Sequence, residues 1–179
     1  MPGGQERALR RRINSVQSTK QITRAMELIA ATRVVKAMTR ANAARPYSTK
    51  MTGVIEDLAA GGVGIDDPLL RSSEKVSSIG FVVITSDRGL AGAYNSSVIR
   101  AAEKEIMAAQ TEGKEYKLVL VGKKAADYFR FRNYQIEASF SGMTDTPSYE
   151  DARIVATTVR DLFVSEEVDQ VILAYQEFV

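Results

Sequence analysis

The stretch Ser86-Asp87-Arg88-Gly89-Leu90-Ala91-Gly92-Ala93-Tyr94-Asn95 follows an apolar run and precedes a helical pattern. A nucleotide-binding fold carries its phosphate loop at such a place, with glycines for close backbone approach and a helix N-terminus facing the negative charge. The spacing argues against that chemistry. Gly89-x-x-Gly92 lacks the first glycine of G-x-G-x-x-G, and no acid closes a convincing second strand about twenty residues on. Gly113-Lys114 and Gly122-Lys123 are followed by Glu115 and Lys124, so neither is a G-x-x-x-x-G-K-S/T loop. The plainer reading is a tight strand-to-helix turn, with Asp87 and Arg88 in local polar contacts.

The remaining candidates are poorer still. Asp66, Asp67, Asp145 and the group Glu166-Glu167-Asp169 have no metal-ligand spacing and read as loop and cap acids. Histidine and cysteine are both absent, which removes the commonest general base, the commonest transition-metal ligand and all thiolate chemistry. No catalytic residue, metal ligand or cofactor site is expected.

What stands out instead is charge. Residues 1–50 hold eleven Lys/Arg against two acids, a net +9 in a chain whose total is +2, leaving −7 for the rest. Arg10–Arg12, Arg33, Lys36 and Arg40 can meet phosphates, so a nucleic-acid-binding protein is the alternative reading. The stretch has no interleaved aromatics and no recognisable nucleic-acid module, however. Arg24 and Glu27, three apart on a helix, can pair at the surface. The Arg-rich start superficially suits a transit peptide, but its helical pattern runs on without a break, which favours mature structure.

The apolar residues of this basic stretch fall at four-three spacing: Leu9, Ile13 and Val16; then Ile22, Met26 and Ile29; then Ala30, Val34, Ala37, Ala41 and Ala44; then Met51, Ile55 and Leu58. That spacing lines one side of a helix. The stripe changes phase between Val16 and Ile22, where Lys20 and Thr23 stand at positions the first register makes apolar. A helix from about Gln5 to Leu58 is roughly 80 Å long, too long for the body to cover. Pro46 should kink or interrupt it near Ala43–Arg45, and Gly61-Gly62-Val63-Gly64 should end it. The reading is one half of a coiled coil, its basic face offered to an acidic or polar surface. A solvent-exposed amphipathic helix kept soluble by its charges is the plainer alternative.

The positions that follow belong to a body. Ile79–Ile84 and Lys117–Val121 are continuous apolar runs, as in strands buried on both faces. Asn95–Gln110 is helix-patterned through Val98, Ala102 and Ile106. Lys123–Arg132 is a short helix through Ala126, Phe129 and Arg130. Tyr134–Phe140 alternates like an edge strand. Tyr149–Phe163 is a helix with Ile154, Val155, Val159 and Leu162 facing in, and Val168–Tyr175 a last buried strand. Strand and helix alternate over short connections, which implies an α/β fold with a mostly parallel sheet. The 179 residues hold one domain and an appendage. The organisation is a long helix over 1–60, a linker over 61–75 and the α/β domain over 76–179.

These residues resemble the gamma subunit of F-type ATP synthase. Arg12-Ile13-Asn14-Ser15-Val16 through Ile22-Thr23-Arg24-Ala25-Met26-Glu27 is similar to the family's N-terminal signature. Ser86-Asp87-Arg88-Gly89-Leu90-Ala91-Gly92-Ala93-Tyr94-Asn95 is similar to its turn motif, carried by Ser86, Asp87, Arg88, Gly89, Leu90, Gly92 and Asn95. Gly122-Lys123-Lys124 and Tyr175-Gln176-Glu177-Phe178 fit weaker positions. The resemblance covers essentially the whole chain in order. Family members run on past this length to a second long helix, so an N-terminal portion is expected here.

The resemblance implies a non-catalytic rotor subunit that couples proton-driven rotation to ATP synthesis at sites on other subunits. It implies a Rossmann-like body without a nucleotide and an arm that is one strand of an antiparallel coiled coil. Leu9, Ile13, Val16, Ile29, Val34, Ala37 and Ala41 would form the seam with the chain's own C-terminal helix. Ile22, Thr23, Arg24, Ala25 and Met26, with Arg33 and Lys36 nearby, would face the catalytic hexamer. The implied partners are the alpha and beta subunits, the epsilon subunit and the membrane c-ring, with no nucleic acid and no cofactor. The implied location is the cytoplasmic face of a bacterial inner membrane, or the matrix or stroma side in an organelle.

Overall fold

The computed structural model describes residues 2–60, 67–71, 73 and 75–177, the side chains of Pro2, Gly3 and Ala59 excepted. The Gly61–Gly64 run expected to end the arm, Asp66 and Phe178 lie outside the described residues, as does part of the 61–75 linker. The chain divides into two units, Met1–Gly64 and Ile65–Val179.

The first unit is one helix, α1, Pro2–Ala60. Its sequence is rich in alanine and in long straight side chains, which lose little freedom in a helix. Local pairs add to it: Arg10 to Glu6 and Arg24 to Glu27, each at 2.8 Å, worth a few tenths of a kcal/mol apiece. Of the kink or interruption expected at Pro46, the interruption does not occur: α1 runs on as helix through it. The missing N–H costs one bond to the carbonyl of Asn42. Asn42 is exposed, so that carbonyl faces water and not a dry interior. Basic residues crowd the first turns of α1, and Glu56 and Asp57 stand near its last turn.

The second unit is α/β. After a 3-10 turn at Pro68–Leu70 come β1 (Ser78–Ile84), α2 (Tyr94–Thr111), β2 (Glu115–Val121), α3 (Lys123–Phe131), β3 (Ala138–Phe140), α4 (Tyr149–Val164) and β4 (Gln170–Ala174). The sheet order is β3-β2-β1-β4, and every pairing is parallel. The two inner strands are the continuous apolar runs, because each has a layer on both faces. On one face Phe81, Val83, Leu118 and Leu120 pack under α2 and α3 against Val98, Ile106 and Phe129. On the other, Val82 and Val119 meet Leu162 of α4 together with Val168. Glu103 of α2 accepts hydrogen bonds from the hydroxyls of Tyr128 (2.9 Å) and Tyr134 (3.0 Å). That bond tips the first layer together with a polar clasp.

Three expectations about the body need correction. Only Ala138–Phe140 of the stretch 134–140 is strand; Tyr134 and Ile136 instead pack against the first core. Ile154 does not face in but is exposed on α4, because the inward stripe is Val155, Val159 and Leu162. β4 is an edge strand, pairing only with β1 among the described residues, and Leu173 is 56% exposed.

The β2–α3 junction depends on one glycine. Gly122 has φ +94°, and a Cβ there would overlap the backbone carbonyl of Thr85. Thr85 is buried; its hydroxyl donates to Val121 O (3.2 Å) and accepts from Ala125 N (2.9 Å), joining the ends of β1, β2 and α3. Gly142 also has a positive φ, +85°, but open space around it. Gly122→Ala should therefore destabilise the protein by about 3 kcal/mol or more. Gly142→Ala should cost only about 1–2 kcal/mol of backbone strain. Urea unfolding of both variants checks this; equal costs would remove the role given to the Thr85 contact.

Candidate functional site

Two places carry the sequence motifs. The first is the arm. Ile22 is 60% and Met26 46% exposed; Thr23, Arg24, Ala25, Arg33 and Lys36 are exposed as well. Arg24 is tied to Glu27 at 2.8 Å. The hydroxyl of Thr23 donates to the carbonyls of Thr19 and Lys20, both at 3.0 Å, so it is satisfied within its own helix. The seam residues Leu9, Ile13, Val16, Ile29, Val34, Ala37 and Ala41 are all exposed too. A row of large apolar side chains left in water marks an interaction surface.

The register of that row is informative. Leu9, Val16, Ala30, Ala37, Ala44, Met51 and Leu58 occupy one heptad position, and Ile13, Val34, Ala41 and Ile55 another. Between them the same two positions fall on Lys20, Thr23 and Glu27. Ile22 and Met26 stand beside this register, displaced by roughly 100° of helix rotation, and so does Ile29, which the sequence reading sets in the seam but which falls one residue before the heptad position of Ala30. The apolar surface there is rotated off the line of the seam. Leu28, Val35, Tyr47 and Val54 are also exposed and are not in the stripe read from sequence; the seven-residue intervals from Leu28 to Val35 and from Tyr47 to Val54 are the signal that could have found them.

The second place is the Ser86–Asn95 turn at the carboxyl ends of β1 and β2. Asn95 accepts from the backbone N–H of Ser86 (2.9 Å) and from its hydroxyl (3.0 Å), closing the turn on itself. Asp87 makes no such local contact, contrary to the sequence reading. One carboxylate oxygen accepts from the N–H of Lys123 (3.0 Å) at the start of α3. The other accepts from the N–H of Gly142 (2.9 Å) and from the N–H (3.1 Å) and hydroxyl (2.7 Å) of Thr144. Arg88 pairs with Asp145 at 2.7 Å across the same junction. At the tip, Leu90 has φ +60° and is 93% exposed.

This geometry has a chemical consequence. The backbone donors that would receive a phosphate at the α3 N-terminus are already taken within the chain: Lys123 N–H by the Asp87 carboxylate, Lys124 N–H by Ser86 O and Ala125 N–H by the Thr85 hydroxyl. Burial pushes the Asp87 carboxyl upward, but bonds from Thr144, Gly142 and Lys123 outweigh it and bring the pKa from 3.8 down to about 2. Beside the turn lies a largely apolar cleft of about 830 Å³ between the sheet and α4, lined by Val82, Ile84, Tyr94, Val155, Val159 and Leu173. Burial raises the Tyr94 hydroxyl above its ordinary pKa. No group of three or more acidic side chains suited to a metal occurs among the described residues. Asp67, as expected, is a cap acid, accepting from Leu69 N at 2.8 Å.

A sequence model of the ATP synthase family matches residues 5–179. The ATP synthase gamma chain of Frankia casuarinae is 46% identical over 180 residues, covering 98% of this chain and 60% of that relative. The gamma chain of a Nocardioides species is 44% identical over 176 residues, 96% of this chain and 58% of the relative. Among solved structures, the central stalk and c-ring of the mitochondrial ATP synthase of Tetrahymena thermophila contains a chain of like fold. Its TM-score is 0.66 at 24% identity, over 85% of this chain and 63% of that one. The chain thus spans about three fifths of the length of the curated relatives it matches.

The low pKa of Asp87 makes a stability prediction. Its native value lies below the ordinary 3.8, so its contribution is complete above about pH 4 and is lost as pH falls toward 2. Asp87→Asn should cost about 1–3 kcal/mol at neutral pH, because its amide group meets N–H donors. It should also flatten the fall of the urea midpoint between about pH 4 and pH 2. An unchanged acid slope would mean that the Asp87 bonds contribute little.

Proposed function

The chain belongs to the ATP synthase gamma-chain family, and from that premise we propose that it forms the arm and body of the rotor in the central stalk of an F-type ATP synthase. The observation that carries the reading is α1 itself: 59 residues of helix, strongly basic, with every seam residue in water. A shaft needs length, stiffness and an uneven surface. It needs no catalytic group of its own.

In this reading the seam is covered by a second helix of the same subunit, and the arm stands inside the hexamer of alpha and beta subunits. Ile22, Thr23, Arg24, Ala25 and Met26 meet the moving part of a catalytic subunit, with Arg33 and Lys36 nearby. Rotation presents this patch to three sites in turn, and each site's affinity follows the face it meets. Charge attraction to acidic partner surfaces acts only within about 8 Å at physiological salt, which makes the coupling depend on angle. The body contacts the epsilon subunit and the c-ring. The subunit is peripheral to the membrane on its cytoplasmic, matrix or stromal side; among the described residues no helix is long and apolar enough to cross one.

Met26→Lys tests the reading in the assembled complex. A cation added here meets a partner and not the fold, since Met26 is exposed on a helix. The expected result is assembly at the parental level with ATP hydrolysis retained and proton pumping per ATP reduced severalfold, consistent with about 1 kcal/mol of altered angular preference. Normal pumping and hydrolysis together would count against the placement of Met26. Failure of the chain to assemble with alpha and beta subunits, alongside steeply salt-dependent binding to DNA, would favour the nucleic-acid alternative.

A further inference from the structure

The chain reaches β1 through a short segment whose contacts exceed what a loop needs. Asp67 caps the 3-10 turn at Pro68–Leu70. One terminal nitrogen of Arg71 donates to two backbone carbonyls, Phe163 O at the end of α4 and Val168 O before β4, both at 2.7 Å. The guanidinium lies 4.4 Å from the centre of the Phe163 ring. The reciprocal contact comes from the other side. Asp169, just before β4, accepts from the N–H and the hydroxyl of Ser77 (both 2.8 Å), from Ser78 N (3.0 Å) and from Ser73 Oγ (3.3 Å). A cation of the segment thus grips the backbone of the body, and an anion of the body grips the backbone of the segment. Charged hydrogen bonds of this kind are about twice as strong as neutral ones. The bonds from Ser77 lead those that hold the Asp169 carboxyl at about 2, so it stays ionised through the working pH range.

We infer that Arg71 and Asp169 form a mechanical clamp: they take the twisting load carried along the chain from the arm and deliver it to α4 and the start of β4. The inference rests on the rotor reading. Its logic is positional. Without the clamp, a pull on the chain would enter at Ser78, the first residue of β1. β1 pairs with β2 and β4 and supplies both cores. A load at its end would open those pairings one after another, whereas the clamp spreads it over two other elements first. Arg71 and Asp169 are positioning residues here and touch no substrate.

The test uses the full-length subunit in the assembled complex, with Arg71→Met and Asp169→Asn as separate variants. With the hexamer stalled by a non-hydrolysable nucleotide and a bead on the body, the angular fluctuation of the bead reads torsional compliance. The expected result is a rise of about twofold or more in angular variance. Amide exchange at Ser77–Ile79 should quicken by roughly tenfold or more, while unloaded ATP hydrolysis stays at the parental rate. Faster exchange with unchanged variance would make the contacts merely structural and overturn the inference. So would no change in either. If Arg71→Met fails to assemble, Asp169→Asn and Ser77→Ala, which leave both cores intact, decide the question by the same readouts. A parental complex that assembles but shows no rotation would sink the rotor reading itself, a result separable from both.

Discussion

A single helix cannot bury its own side chains, and α1 is organised around that constraint. Isolated helices gain most of their stability from tertiary packing of an apolar face, yet the face of α1 lies in water over its whole length. Alanine at residues 30, 37, 41 and 44 narrows the seam and allows a neighbouring backbone to come close. Leu9, Ile13, Val34, Met51 and Ile55 supply bulk at either end of the seam and beside the alanines. The polar interruption at Lys20, Thr23 and Glu27 then becomes intelligible. It falls where Ile22, Met26 and Ile29 are rotated off that line, and under the proposed rotor reading one segment would serve two neighbours.

The body follows a different rule. Its central strand β1 is held at both ends by carboxylates that accept backbone N–H bonds: Asp169 at its start and Asp87 just past its finish. Between these pins the strand is wholly apolar and sandwiched between two layers. The charges of Asp169 and Asp87 are met there by backbone and hydroxyl donors. Thr85 and Gly122 complete the carboxyl end by bringing two chains closer than any side chain would permit.

What the sequence made legible follows from how local each cause is. β1 and β2 were readable because burial on both faces leaves an unbroken apolar run, and α2 because Val98, Ala102 and Ile106 keep the helical interval. β4 was read too long and too buried, since Val171-Ile172-Leu173-Ala174 looks like a central strand. Whether a strand is central depends on which neighbours the topology gives it. The partners of Asp87 lie 36 to 57 residues away, and those of Arg71 more than 90. No spacing rule reaches that far. Pro46 does not end the arm, because an exposed helix gives the freed carbonyl to water, which a buried one could not. In the arm, the residues of the motif were legible as a face, but exposure alone does not distinguish the face that pairs from the face that couples.

The distribution of charge along α1 has one further consequence. Every helix carries a macrodipole, positive at its N-terminus and negative at its C-terminus. In α1 Arg7 and Arg10–Arg12 stand near the positive end, and Glu56 and Asp57 near the negative one. The arm's charges therefore run against its own dipole. A second helix laid parallel would repeat the conflict. One laid antiparallel brings its negative end to Arg10–Arg12 and its positive end to Glu56 and Asp57, so the opposition within one helix becomes the attraction between two.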